Sequence, residues 1–104
     1  ALELRHDSFL DARFFDLVRE RGCAVVHAGS DDYPEIEPDP DAPFVYARLM
    51  RTREEIETGY APEALDAIAA RAKAWAARAE TFVFFISGAK VRAPAAARAL
   101  ISRL

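Results

Sequence analysis

Phe44-Val45-Tyr46-Ala47-Arg48-Leu49 has the composition of a buried β-strand with a full positive charge at its fifth position. Successive side chains in a strand point to opposite faces, so Val45, Ala47 and Leu49 share one side while Tyr46 and Arg48 share the other. The first side suits a layer of helices. The second needs a partner for its guanidinium, because an unpaired buried charge costs several kcal/mol. Leu2-Glu3-Leu4-Arg5-His6 repeats the pattern: Leu2 and Leu4 face helices, and Glu3 and Arg5 face the other way. Three charges inside two strands imply an interior ion-pair network, a polar pocket, or both.

Outward from these strands the hydrophobic period switches repeatedly. Ser8 is the expected cap of a helix carrying Leu10, Phe14, Leu17 and Val18 at helical spacing and closed by Gly22. Cys23-Ala-Val-Val-His27 is a compact apolar run of the kind found in a parallel strand buried on both faces. Residues 29–43 hold four prolines among Asp, Ser and Glu, too many for a helix or a central strand, and predict a loop. Pro62 suits a helical first turn with Glu63 near its positive end, and Leu65, Ile68, Ala69, Ala72, Trp75 and Ala76 follow as an apolar stripe. Thr81-Phe-Val-Phe-Phe-Ile86 is built of strong strand formers. Pro94 opens a last helix whose Ala97, Leu100, Ile101 and Leu104 form an apolar face.

The resulting order, β-α-β-loop-β-α-β-α, predicts an α/β fold of parallel βα units. An open sheet covered by helices on both faces leaves no room for three charges. A closed TIM (β/α)8 barrel gives its inward face a polar use at the mouth formed by the strand C-termini. Four strands are half of such a barrel. The first residue already enters a strand and no initiator methionine precedes it, so residues 1–104 are expected to be a single half-barrel domain, a fragment of a longer barrel. Four strands cannot close, and the exposed edges and inner face predict self-association or pairing with a missing N-terminal half.

Composition narrows the function. With 104 residues, 52% of them hydrophobic, and a formal charge of -3, the chain has the make-up of one ordinary globular domain. The single Cys23 excludes an intramolecular disulfide and a multi-cysteine metal site, and a reducing, cytoplasmic setting follows as the default. No apolar run reaches the roughly 18 residues of a membrane span, and no signal pattern opens the chain. Basic residues are dispersed among acids, which argues against nucleic acid as a partner.

The motifs Glu3-x-Arg5-His6-x-Ser8-Phe9, Phe44-Val-Tyr-x-Arg-Leu49, Gly59-Tyr60, the helix from Leu65 to Trp75, the aromatic strand 82–85 and Ala93-Pro94 together resemble the C-terminal half of the family called domain of unknown function 72 (YecE-like). The resemblance runs through nearly the whole chain. It implies a TIM barrel of the xylose-isomerase-like type, of which this chain is roughly strands five to eight, and it brings no assigned activity. This sequence departs from the family pattern at three mouth positions: Met50 stands where the family usually has histidine, and Ile86 and Ser87 where it usually has a pair of asparagines. Methionine carries no proton and binds no hard cation, and isoleucine cannot hydrogen-bond a substrate.

Glu3, Arg5, His6 and Arg48 match the pattern and are the expected pocket lining. Arginine's planar fork suits phosphate or carboxylate, so Arg5 and Arg48 are candidate binders of an anionic small molecule. Glu3 and His6 are candidate proton carriers for chemistry on a phosphoester or sugar-type substrate, His6 because it directly follows its strand. The first reading of the same charges is a structural ion pair locking strands together inside the barrel. Ser87-Gly-Ala-Lys90 follows the last strand, where barrels often hold phosphate, which makes Ser87 and Lys90 further candidate ligand binders. His27 is expected to end its strand at the same mouth. Two histidines with Glu3, Asp31 and Asp32 could nominally hold a metal, but their spacing gives no support for one, and no cofactor is specified. Cys23 and Trp75 read as core, and Tyr33 as a loop anchor. Two readings remain: a domain that binds an anionic small molecule or acts on a phosphoester or sugar-type substrate, and a non-catalytic binding or structural/interaction domain with a degraded site.

Overall fold

The computed structural model describes all residues, 1–104. Its centre is a three-stranded, wholly parallel sheet in chain order, β1 (His27–Gly29), β2 (Val45–Leu49) and β3 (Thr81–Phe85). His27 aligns with Ala47, and Ala47 with Val83. Three helices accompany it: α1 (Ala12–Glu20), α2 (Pro62–Ala76) and α3 (Ala93–Ile101). The expected α/β architecture of parallel βα units is therefore present. No helix is long and apolar enough to cross a membrane.

β2 follows its expected alternation: Val45, Ala47 and Leu49 are buried, and Tyr46 and Arg48 are half-buried. The buried side meets α2. Leu65, Ala69, Ala72 and Trp75 recur at helical spacing and are all buried, and Trp75 packs against Val45 and Ala47 with Ala79 and Val83 at the margin. Pro62 occupies the helix start without a side-chain cap, and Glu63 and Lys73 lie at the ends whose partial charges they complement. Alanine-rich sequence supplies the rest through intrinsic propensity.

Several expectations are corrected. Residues 1–5 do not form a regular strand; they touch the sheet through one parallel bridge, Leu2 to Val25, with Leu2 N donating to Ala24 O at 2.8 Å and Val26 N to Leu2 O at 2.8 Å. The segment sits at an edge, with only one neighbour to pair with. Leu4 is buried as expected, but Leu2 is exposed. The cap of α1 is Asp11, whose carboxylate accepts from Arg13 N at 2.7 Å; Ser8 lies instead in a short 3-10 turn, Asp7–Phe9. Of the expected apolar face of α1, Val18 alone is buried, and Leu10 and Leu17 are half exposed. Gly22 does close this helix, at φ +64°, the left-handed conformation that glycine adopts without strain. On α3 the buried residues are Ala96 and Leu100, while Ile101 and Leu104 are exposed.

The strand expected at Cys23–His27 is displaced, with regular pairing over His27–Gly29. His27 therefore begins the strand and sits in the Ala47 register on the helix-facing side, away from the mouth. Only 1% of it is exposed; its Nδ1 meets Ile36 O at 2.9 Å and its ring stands edge-on to Trp75, 5.1 Å between centroids. Cys23, expected in the core, is half-buried with its sulfur near Arg21 O.

Burial holds the His27 imidazole below its ordinary value, outweighing the opposing pull of the Ile36 carbonyl. A histidine held neutral by folding stabilises the native state fully above its unfolded value of about 6.5, and that contribution is lost as pH falls from there through the lowered folded value. Denaturant unfolding at pH 7.5 and pH 5 is expected to show weaker folding at the lower pH, with the difference reduced in His27→Gln.

Candidate functional site

Alternation along β2 aims Arg48 at the face of the sheet opposite the helices, one residue before the strand ends. It reaches across to the edge segment, where its Nη1 donates to both carboxylate oxygens of Glu3, at 2.6 and 2.7 Å. Arg5 engages the same carboxylate: its Nε and Nη2 donate to Glu3 Oε2 at 3.2 and 3.0 Å. One carboxylate thus bridges two guanidinium groups that lie far apart in the chain. The Glu3 side chain is 13% exposed, Arg48 21% and Arg5 61%, so the cluster runs from half-buried to open.

Its charge balance is uneven. Two arginines against one glutamate leave one net positive charge, and the Nε and Nη2 hydrogens of Arg48 find no acceptor within the chain. The hydrogen bond to Glu3 holds the Arg5 guanidinium above its ordinary value. Beside Arg48 lies an open groove of about 500 Å³, lined by Glu3, Val26, Tyr46, Phe84, Phe85 and Ile86 with Ala1 at its rim. Arg48 is level with Phe84 in the sheet, and the Tyr46 and Phe84 rings lie 5.1 Å apart, so the positive charge stands next to an aromatic floor. Phe82 and Phe84 are 40% and 44% exposed on this face.

The other residues singled out in the sequence are dispersed. His6 is exposed and serves the local backbone, where its Nδ1 accepts from Ser8 N at 3.0 Å and caps the 3-10 turn. It shares a shallow cleft with Glu3 and Arg5 but does not face Arg48's groove. Ser87 and Lys90 do not line that groove either. Ser87 has φ +58°, Gly88 φ +52°, and this left-handed pair folds the loop back over the end of β2. A Cβ at Gly88 would come 2.8 Å from both Met50 O and Thr52 Oγ1, so only glycine allows that approach. Lys90 stands exposed in the turn Lys90–Arg92. Met50 and Ile86 each continue a ladder by one residue, Met50 N to Gly29 O at 2.8 Å and Ile86 N to Leu49 O at 3.1 Å. Alternation therefore places them on the inner face just above Arg48 and Phe84. No three histidine, cysteine, aspartate or glutamate side chains are grouped to hold a metal.

Sequence reasoning passed over the arginines that fasten the loop between β1 and β2. Arg51 Nε donates to Asp31 at 2.9 Å and its Nη1 to Glu35 at 3.1 Å, while Nη2 takes Ser30 O. Arg71 pairs with Glu37, whose other oxygen accepts Trp75 Nε1–H at 3.1 Å, and Arg71 itself lies 5.1 Å over the Trp75 ring. Burial pushes the Glu37 carboxyl up, but the Trp75 and Arg71 hydrogen bonds prevail and hold it below its ordinary value. Arg19 pairs with Asp39, and Arg78 donates to Pro38 O. The composition of the loop was the available signal, since its acids match arginines lying on α1, α2 and the end of β2.

An α/β chain of parallel βα units with a charged inner face is the class that this geometry defines. The family model described as protein of unknown function DUF72 matches residues 1–104, and the chain belongs to that family. Two solved structures resemble it. A DUF72 family protein from Enterococcus faecalis superposes with a TM-score of 0.69 at 16% identity, covering 96% of this chain and 46% of its own. One from Thermotoga maritima gives 0.63 at 23% identity, covering 93% and 42%. The chain thus spans less than half the length of either relative. A search of curated proteins finds no match.

Proposed function

We propose that the Glu3–Arg48–Arg5 cluster binds a small anionic molecule, a carboxylate or phosphate, at the mouth of a TIM barrel. In this reading residues 1–104 form one half-barrel unit, its C-terminal half, and the remainder of a longer polypeptide, or a second copy, covers the aromatic inner face. The observation that carries the binding reading is the surplus charge: Glu3 satisfies one nitrogen of Arg48 and leaves its Nε and Nη2 hydrogens without an acceptor in the chain, on a residue that lines an open groove. Guanidinium donors are well suited to a two-oxygen anion.

Binding is favoured over catalysis by the neighbours of the site. Both oxygens of Glu3 are engaged by arginines, so its role is that of a counter-ion that spaces and orients them. Met50 and Ile86 bring no proton carrier to the level above. A second reading, proton transfer by His6 to a phosphoester or sugar-type substrate, draws on its shared cleft with Glu3 and Arg5. We also assign the protein to the cytoplasm, on the lone Cys23 thiol.

The test is calorimetric titration of the full-length protein with inorganic phosphate. Arg48→Met, close in length and apolar, is expected to weaken binding at least about tenfold while unfolding remains cooperative. Equal affinity in the variant and the parent overturns the assignment.

A further inference from the structure

The loop after β1 contains a small arch whose two feet are held by one side chain. Arg51 takes Ser30 O and Asp31 Oδ1 on one foot and Glu35 Oε1 on the other. Inside the first foot, Asp32 N donates to Ser30 Oγ at 3.0 Å. Arg51 is itself fixed, since it lies just past the end of β2 and its backbone N–H donates to the Tyr60 hydroxyl at 3.0 Å. Beyond the arch the chain is locked again, by Ile36 O on His27 and Glu37 on Trp75 and Arg71. The crown of the arch is Tyr33, and the Arg5 guanidinium lies 4.8 Å from the centre of its ring.

Arg5 is the most exposed member of the charge cluster, attached to Glu3 through one oxygen. A long side chain so placed samples many rotamers unless something restrains it, and each one lost on binding costs affinity. Tyr33 supplies the restraint. An aromatic face attracts a guanidinium without consuming its hydrogen-bond donors, so a stacked Arg5 keeps Nη1 available. The phenol hydroxyl makes no hydrogen bond within the chain, and the ring meets the cluster through its contact with Arg5.

We propose that Tyr33 is a positioning residue for the anion site: the Arg51-clamped arch 30–35 presents its ring as a wall that preorganises Arg5 beside Glu3 and Arg48. This rests on the anion-binding reading for its ligand, but the contact it asserts exists without one. A tyrosine that merely stabilised the loop would affect folding and leave Arg5 and anion affinity alone.

The experiment uses full-length protein in four forms: parent, Tyr33→Phe, Tyr33→Leu and Arg51→Met. Each is titrated with inorganic phosphate, and the Arg5 Nε–H resonance, assigned by its loss in Arg5→Lys, is followed by NMR. Tyr33→Leu is expected to lower phosphate affinity about threefold, the range of an exposed cation–π contact, and to shift the Arg5 resonance as the ring current disappears. Arg51→Met is expected to do the same by releasing the arch. Tyr33→Phe is expected to match the parent in both readouts. An Arg5 resonance unmoved by Tyr33→Leu overturns the proposal, as does a shifted resonance with unchanged phosphate affinity. If the parent binds no phosphate, the anion-binding reading fails by itself; the resonance of Tyr33→Leu then still decides whether the arch holds Arg5.

Discussion

Trp75→Ala is expected to lose about 3–5 kcal/mol of folding stability, the range for deleting a large buried aromatic side chain. That is a large share of the roughly 5–15 kcal/mol that holds a domain together. The ring does three jobs at once. It fills the space between α2 and the buried side of β2, against Val45 and Ala47. It stands edge-on to His27 at 5.1 Å, and its Nε1–H donates to Glu37 at 3.1 Å. Removing it opens a cavity and also leaves the exposed Glu37 carboxylate paired with Arg71 alone. Trp75→Phe separates the terms: most of the apolar area stays, the Glu37 hydrogen bond goes, and the expected cost falls to about 1–2 kcal/mol. Urea unfolding of the two variants measures the difference, and equal losses would mean that the loop contact, not the packing, carries the stability.

Glu3→Gln is the second large effect, and it has two signs. The amide keeps the shape but removes the negative charge that two guanidinium groups share, leaving half-buried Arg48 and exposed Arg5 without their common counter-ion. Breaking a deeply buried pair costs about 3–5 kcal/mol. Here the cluster is partly open to water, so about 1–3 kcal/mol is expected. The vacated charge should also make the site hungrier for an anion. Phosphate, at a concentration that raises the melting temperature of the parent slightly, is expected to stabilise Glu3→Gln by more. Thermal melting with and without phosphate reads both effects. A neutral substitution with no added response to phosphate would reduce the cluster to a surface ion pair.

The parts of this fold that were legible in the sequence are those where one periodicity dominates. β2 and the stripe of α2 run long enough, and with enough contrast between faces, that alternation and helical spacing each leave a single solution. Arg48 and Glu3 could be placed on a common face for the same reason. The Cys23–His27 run was not legible in this way, because an apolar segment without contrast fixes neither its ends nor its phase. With the regular strand displaced to His27–Gly29, His27 begins it and does not end it. The edge segment 1–5 has strand composition but a partner on one side only, and it keeps a single bridge. Ser8 and Asp11 are both good caps, and local sequence does not choose between them. The arginine clamps were hidden for a different cause. Arg51 meets Asp31 and Glu35, and Arg71 meets Glu37, across separations of 16 to 34 residues, which no local pattern encodes.

Family membership and the sheet geometry also bear on the half-barrel unit proposed for this chain. It accounts for 46% and 42% of the two related structures, and its inner face presents Phe82 and Phe84 to solvent next to a charge cluster. Exposed apolar surface of that kind marks a contact face, and an open parallel sheet leaves its edges unpaired. Sedimentation equilibrium of the 104-residue chain on its own tests the half-barrel account most directly. Self-association that covers this face, weakened by Phe84→Lys, is the expected result. A monodisperse, cooperatively melting monomer at every concentration would contradict it.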